Sequence, residues 1–270
     1  MNYIEGVCMQ NQFSRTQMLI GEKGIEQLQR AHVAIFGLGG VGGYVVEGLV
    51  RAGVGSFDLI DDDKIGLSNL NRQILATHET IGKYKTDVMK ERILDINPQA
   101  KVTVHRCFYL PETSSQFDFR QYSYVVDAID TVTGKLEIIV KAQEAKVPII
   151  SCMGTGNKIH PELLCVADIY QTSMCPLAKV MRNELRKRKV EHLKVLYSKE
   201  KPFCCIEEGE NGSVQWDDEE IIEQKIPGKI FTGRRGLPGS ISFVPSIAGL
   251  MIAGEIIRDL IENKDDECLL

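Results

Sequence analysis

The feature that most constrains the fold of this chain is a glycine cluster. Gly37-Leu38-Gly39-Gly40-Val41-Gly42 satisfies G-x-G-x-x-G at Gly37, Gly39 and Gly42. It directly follows the short apolar run His32-Val33-Ala34-Ile35-Phe36 and opens a helical pattern over Tyr44 to Ala52, with Val45, Val46, Leu49 and Val50 inward. A turn of this kind between a strand and a helix lets a phosphate approach backbone N–H groups at the positive end of the helix, because no side chains stand in the way. A second strand, Ser56 to Ile60, ends at Asp61-Asp62-Asp63. Asp61 is therefore placed to accept hydrogen bonds from ribose hydroxyls. A tight turn beside a solvated acidic corner is the structural alternative, and these features alone would also suit a nicotinamide or flavin enzyme.

The strand and helix alternation continues. A helix is expected from Lys85 to Leu94, closed by Asn97-Pro98, then strands over Lys101 to Arg106 and Tyr124 to Ile129, a helix over Lys135 to Lys146 and a strand over Pro148 to Ser151. Upstream, Gln17 to Gln29 has a helical pattern with Met18, Ile25 and Leu28 as its apolar positions. The fold class that follows is α/β, a Rossmann-like, mostly parallel sheet flanked by helices with an irregular C-terminal half. Its ligand crevice lies beyond the carboxyl ends of the strands, where Gly37, Asp61 and Asp130 fall. Beyond Ser151 the pattern fades to a helix at Pro176 to Lys189, a strand at His192 to Ser198, a polar surface loop or turn at Glu207 to Asp218 and a closing helix at Ile247 to Ile261. The expected organisation is a polar leader at 1–12, one domain over 13–262 with a nucleotide half at 13–151 and a substrate or RNA half at 152–262, and a tail at 263–270. With 43% hydrophobic and 26% charged residues, the composition excludes a disordered chain. The apolar stretch Gly239 to Ile257 contains Pro245, several serines and Glu255, which suits a buried or subunit-facing helix rather than a membrane span.

Three further segments narrow the chemistry: Ser68-Asn69-Leu70-Asn71-Arg72-Gln73, Gly82-Lys83-Tyr84-Lys85 and Asp127-Ala128-Ile129-Asp130. Hydride transfer does not call for this set. Attack of a carboxylate on ATP does, because it needs fixed cations on the developing charge, Mg²⁺ on the phosphates and a carboxylate to hold the metal. Arg72 and Lys85 supply the cations, Asn69 and Gln73 are polar positioners, and Asp130 lies near the metal.

Gly37 to Gly42, Asp61-Asp62-Asp63, Ser68 to Gln73, Lys85 and Asp130 together resemble the nucleotide site of the ThiF/MoeB/ubiquitin-activating superfamily, whose members adenylate carboxylates. The resemblance covers roughly Phe13 to Ser151. It implies an ATP- and Mg²⁺-dependent enzyme in which Gly37, Gly39, Gly40, Gly42, Asp61, Asp63, Asn69 and Gln73 bind nucleotide and Arg15, Arg72, Lys85 and Asp130 are catalytic, with Asp130 also the metal ligand. Arg15 matches an arginine that reaches into the partner subunit's ATP site, so a homodimer is implied. The zinc-bearing branch is disfavoured, because the chain has no C-x-x-C pair and adjacent Cys204-Cys205 cannot substitute. The order Arg15-Thr16, Ile20-Gly21, the glycine cluster, Asn97-Pro98, Asp127 to Asp130 and Val195 to Glu200 is similar to the tRNA threonylcarbamoyladenosine dehydratases. These activate the carboxylate of a threonyl modification with ATP and cyclise it with loss of water. Adenylation of the C-terminus of a sulfur-carrier or ubiquitin-like protein is the alternative, and a nucleotide-binding module without turnover is a third class. A monovalent cation beside Mg²⁺ and a sulfur-relay partner of the cysteine desulfurase kind are compatible with the resemblance.

The net charge of −5 offers no general attraction to nucleic acid. Between Lys179 and Lys201, however, nine cations face three carboxylates. Arg182, Arg186, Lys187, Arg188 and Lys189 make the densest part and are the candidate tRNA phosphate contacts, against the alternative of a solvated helix with Met181 and Leu185 inward. The eight cysteines lack paired spacing and follow no export signal, so they are expected to be reduced thiols in a cytoplasmic protein with no membrane segment. Cys152, Cys165 and Cys175 suit small buried positions better than nucleophiles, and the five histidines show no metal-ligand spacing.

Overall fold

The computed structural model describes residues 3–4, 7–8, 10–203 and 238–261. The loop expected at Glu207 to Asp218, the adjacent Cys204 and Cys205, Cys268 and the tail at 263–270 lie outside the described residues.

The chain begins with two short strands, Tyr3–Ile4 (β1) and Val7–Cys8 (β2), which pair antiparallel inside the stretch expected to be a plain polar leader. Helix α1 (Ser14–Arg30) leads into strand β3 (His32–Phe36), helix α2 (Gly42–Ala52) and strand β4 (Ser56–Ile60). Helix α3 (Lys85–Ile96), strands β5 (Lys101–His105) and β6 (Tyr124–Asp127), helix α4 (Val132–Glu144) and strand β7 (Ile149–Cys152) complete the alternating part. Strand β8 (Leu164–Asp168), helix α5 (Pro176–Lys187), strand β9 (Lys194–Ser198) and helix α6 (Phe243–Ile261) follow.

Seven strands form one sheet in the order β5-β4-β3-β6-β7-β9-β8. All neighbours are parallel except β8, which runs antiparallel to β9 along the edge. β8 is a further strand that sequence pattern did not reveal: its short apolar run Leu163 to Ala167 does not by itself separate a strand from a buried turn or helix segment. The chain reverses its direction of winding between β3 and β6, and that switch point opens a crevice at the carboxyl ends of these strands.

Strand residues alternate between two cores. Val33, Ile35, Phe57, Leu59 and Val126 face a layer that includes α1, α2, α3 and α6. Ala34, Phe36, Ile60 and Val125 face α4 and a cluster of aromatic side chains including Tyr109, Phe117, Phe119 and Tyr122. Each fully buried aliphatic side chain contributes about 1.5–3 kcal/mol. A smaller cluster under α5 takes in Met181 and Leu185, the two residues expected to point inward.

Two details differ from the expected pattern. Gly21 interrupts α1 with φ 72° and ψ 175°. The turn before it is thereby rotated out of phase, so Ile25 and Leu28 are buried while Met18 is 87% exposed. The apolar stretch near the end becomes α6, whose close approach to α2 depends on small residues. A Cβ on Gly249 would stand 2.5 Å from the Val41 carbonyl oxygen, and one on Gly48 would stand 2.7 Å from the Ala253 Cβ. No helix among the described residues is long and apolar enough to cross a membrane.

Candidate active site

The glycine turn joins β3 to α2 at the switch point. Gly37 adopts φ 91°, and a side chain there would run into the Ala128 carbonyl at 2.7 Å. Gly42 is more restricted still, because its Cβ would lie 1.8 Å from the Gly37 carbonyl oxygen. These two glycines are required by the protein itself. Gly39 is different: a Cβ there would meet nothing within 4 Å, so the turn presents bare backbone to open space. Helix α2 starts at Gly42 with no side-chain cap. Open backbone at an uncapped helix start suits a phosphate.

Asp61 follows β4 and is bound to the turn rather than merely near it. Its Oδ2 accepts a hydrogen bond from the Leu38 N–H at 2.6 Å, and its Oδ1 accepts one from the Asp63 N–H at 2.8 Å. Burial pushes the Asp61 carboxyl above the ordinary range, against the pull of Lys85 and of the Leu38 N–H. Asp63 stands at the mouth of the crevice, and its carboxylate pairs with the Lys85 Nζ at 2.5 Å. Lys85, 5% exposed at the start of α3, is thus an ammonium held in a nearly buried position. Burial and the neighbouring Asp63 together raise the Asp62 carboxyl.

The short helical turn Leu67–Asn69 and the residues just after it carry Asn69, Arg72 and Gln73. Asn69 is buried and accepts from the Gly66 N–H at 3.1 Å. Arg72 donates to the Ser68 carbonyl and to the Asn71 side chain, both at 2.9 Å. Its stem reaches the glycine turn, since a Cβ on Gly40 would lie 3.4 Å from the Arg72 Cγ. Gln73 is buried, yet its Oε1 has no hydrogen-bond partner, and the same is true of the Thr86 hydroxyl beside Lys85. A buried acceptor without a donor costs roughly 1–3 kcal/mol. At Gln73 that cost is recovered if a ligand supplies the donor.

Asp130 follows β6 by three residues and is exposed, accepting from the Thr131 hydroxyl at 3.4 Å. Its loop touches the glycine turn through Ala128, whose N–H donates to the Phe36 carbonyl at 2.8 Å. The structure therefore brings Gly37, Gly39, Gly40, Gly42, Asp61, Asp63, Asn69, Arg72, Gln73, Lys85 and Asp130 to one end of the sheet. Arg15 lies on the exposed side of α1, next to the exposed Met18 and Leu19. All-oxygen donor sets suit Mg²⁺. Asp130 offers an exposed carboxylate, and Asp61, Asp62 and Asp63 form the one cluster of three or more close acidic, histidine or cysteine ligand atoms among the described residues.

The basic stretch maps onto α5 and the turn after it. Arg182 folds inward, donating to the Thr172 carbonyl at 3.0 Å and to its hydroxyl. Arg186 lies over the Tyr170 ring at 5.3 Å. Lys187 and Arg188 both pair with Glu184, at 2.6 and 2.9 Å. Arg186, Lys187, Arg188 and Lys189 remain exposed, whereas Arg182 is partly covered.

Two buried polar networks were not read from the sequence. Asp127 and Lys135 form an ion pair with no exposure behind the Asp130 loop, joined by Ser151. Burial raises the Asp127 carboxyl, while Lys135 and Ser151 pull it back. A signal existed: Lys135 lies on the inward stripe of α4 with Ile138, Ile139 and Ala142, where an apolar residue is expected. The other network centres on Asp58, which bonds His32 at 2.8 Å, His105 at 3.0 Å and the Tyr122 hydroxyl at 2.9 Å. Cys152 is buried and its thiol is pushed up to about 12 by burial, which leaves it protonated and a poor nucleophile.

Comparison with known proteins places this geometry. Residues 13–268 match the ThiF family. The chain is 39% identical over 256 residues to the tRNA threonylcarbamoyladenosine dehydratase of Bacillus subtilis strain 168, an alignment that covers 94% of this chain and 96% of that protein. The crystal structure of the Escherichia coli tRNA N6-threonylcarbamoyladenosine dehydratase in complex with AMP matches with a TM-score of 0.78 at 29% identity, covering 95% of this chain and 98% of that one. The same protein in complex with ATP matches with a TM-score of 0.77 at 29% identity, over 94% and 97% of the two chains.

Proposed function

The chain belongs to the ThiF family, and from that premise we propose that it is an ATP-dependent tRNA threonylcarbamoyladenosine dehydratase. The observation that carries this is the near full-length correspondence with the B. subtilis dehydratase, and an open glycine turn bordered by Asp61 and Arg72 supports it. A relative of a different activity that shared only the nucleotide half would not account for the match through α5, β9 and α6.

In this reading the backbone at Gly39 and Gly40 receives phosphate, and Asp61, already locked by the Leu38 N–H, turns its remaining acceptor capacity to the ribose. Arg72 and Lys85 supply the positive charge for the oxygens of the attacked phosphoryl group, where negative charge develops. Gln73 and Asn69 orient the nucleotide, and the orphaned Gln73 Oε1 finds its donor there. Asp130 is the carboxylate that would hold Mg²⁺, which would neutralise the phosphate oxygens, and Asp63 borders the nucleotide through its pair with Lys85. The partner subunit's Arg15 completes the site in a homodimer. Once the substrate carboxylate is activated, its own carbamoyl group attacks the acyl carbon, loses a proton and expels the activating phosphate together with the former carboxylate oxygen, so no protein nucleophile is needed and the protonated Cys152 is consistent with that. The exposed cations Arg186, Lys187, Arg188 and Lys189 contact tRNA phosphates, and Arg182 shapes the helix beneath them.

The test is direct. Incubation of the protein with ATP and tRNA carrying threonylcarbamoyladenosine, followed by digestion and mass analysis of the nucleosides, is expected to yield a product lighter by one water. An unchanged nucleoside together with an adenylated sulfur-carrier protein would establish the alternative activity.

A further inference from the structure

An ammonium has three N–H donors, and all three of Lys135 are accounted for inside the protein. Its Nζ lies 3.1 Å from each carboxylate oxygen of Asp127 and 2.7 Å from the Cys152 carbonyl oxygen. The Ser151 hydroxyl donates to the Asp127 Oδ2 at 2.5 Å. Asp127, Lys135 and Ser151 all have 0% exposure. The network ties the carboxyl end of β6 and the carboxyl end of β7 to the first turn of α4.

The placement of Asp130 gives this network its significance. Residues 128–131 run from Asp127 to the start of α4, so the loop that presents Asp130 is closed at both ends by one ion pair. Its front is set against the end of β3, through the Ala128 N–H on the Phe36 carbonyl, and it lies against Gly37, whose Cβ would stand 2.7 Å from the Ala128 carbonyl oxygen. Taking two charges out of water costs several kcal/mol per ion, and an apolar pair of the same volume often stabilises a fold equally well or better. Core stability therefore does not explain why charges stand here. Three directed hydrogen bonds do something that an apolar pair cannot, which is to set the loop in a single register.

We propose that Lys135 is a positioning residue, which acts through Asp127 and the Cys152 carbonyl to hold the 128–131 loop so that the Asp130 carboxylate stays at the phosphate end of the glycine turn. This rests on the assignment of Asp130 to the phosphate site.

The test is a coupling experiment. The double variant Asp127→Asn/Lys135→Met removes both buried charges together, so neither is left unpaired. It is expected to unfold near the parental temperature and to bind a non-hydrolysable ATP analogue within about twofold of the parent, while kcat falls about 10²-fold, the usual consequence of a 1 Å misplacement. Asp130→Ala is then made alone and in the double variant. Groups that act through one another are not additive, so the triple variant is expected to be no slower than Asp130→Ala. Multiplied losses in the triple variant, or a parental kcat in the folded double variant, would overturn the proposal. Full turnover by Asp130→Ala alone is a distinguishable failure, because it removes the role of Asp130 itself. Should the double variant not fold, Ser151→Ala asks the same question more gently: a smaller loss in kcat at unchanged analogue affinity, absent in the Asp130→Ala background, is expected, and an additive or absent loss overturns the idea.

Discussion

At the scale of single residues, the glycine turn separates what the fold needs from what the ligand needs. Gly42 has a backbone oxygen 1.8 Å from where a Cβ would go, whereas Gly39 has nothing within 4 Å. Gly42→Ala is therefore expected to destabilise the protein by about 3 kcal/mol or more, because the obstacle is backbone and cannot swing aside. Gly39→Ala is expected to melt with the parent yet bind ATP more weakly, since the added methyl stands where phosphate approaches. Thermal melts alongside nucleotide titration check both, and equal ATP affinity in Gly39→Ala would remove the phosphate from that position. Asp130→Ala tests the chemistry itself. The side chain is exposed and packs against no core, so the variant is expected to fold normally and lose roughly 10²-fold or more in turnover, the range for a charge-stabilising group in a preorganised site.

At the scale of elements, α5 and the central strands carry opposite kinds of charge organisation. On α5 and the turn after it, Arg186, Lys187, Arg188 and Lys189 are exposed, with Lys187 and Arg188 sharing Glu184. Reversing Arg186, Lys187 and Arg188 to Glu is expected to leave ATP binding unchanged, weaken tRNA binding and flatten its salt dependence by about 0.7 to 0.9 in slope for each lost phosphate contact. Unaltered affinity and slope would make the element a solvated face. Across β3, β4 and β5, Asp58 is buried where His32, His105 and Tyr122 converge. Burial alone would raise its carboxyl, but the hydrogen bonds of His105, His32 and Tyr122 outweigh that and hold it well below the ordinary carboxylate range. A depressed carboxyl stabilises the fold above the unfolded-state value of about 3.9, and the contribution disappears as pH falls below it. The melting-temperature difference between the parent and Asp58→Asn is therefore expected to shrink as pH falls below about 4. A difference that stays constant to the lowest pH would show that the carboxylate form is not what these three side chains favour.

At the scale of the whole molecule, the proposed site takes its Arg15 from a second copy of the chain; Arg15 lies on an exposed stretch of α1 beside Met18 and Leu19, both more than 80% exposed. Arg15→Ala and Arg72→Ala proteins are each expected to be inactive. Mixed and allowed to exchange subunits, they should form dimers with one intact site, giving about a quarter of parental activity in a statistical mixture of a two-fold symmetric assembly. No recovery on mixing, with exchange verified, would show that Arg15 does not act across an interface.

Local pattern by itself determined a good deal of this protein. Strand, glycine turn, helix and strand are dictated by short-range periodicity and by the lack of a side chain at Gly37 and Gly42, so the turn and the end of the sheet beside it are legible from residue order, and Asp61, Arg72, Lys85 and Asp130 are the residues proposed to work there. The tertiary structure decided whatever depends on residues distant in sequence. β8 becomes a strand only because β9 offers it an antiparallel edge. Met18 leaves the core because Gly21 breaks the phase of α1. Asp58 gathers His32 and His105 from the strands on either side, and Lys135 finds its third acceptor on β7 at Cys152. The physical reason is the same in each case: a buried charge or an edge strand is stable only with a partner, and periodicity along one segment does not say which other segment will bring that partner within hydrogen-bonding distance.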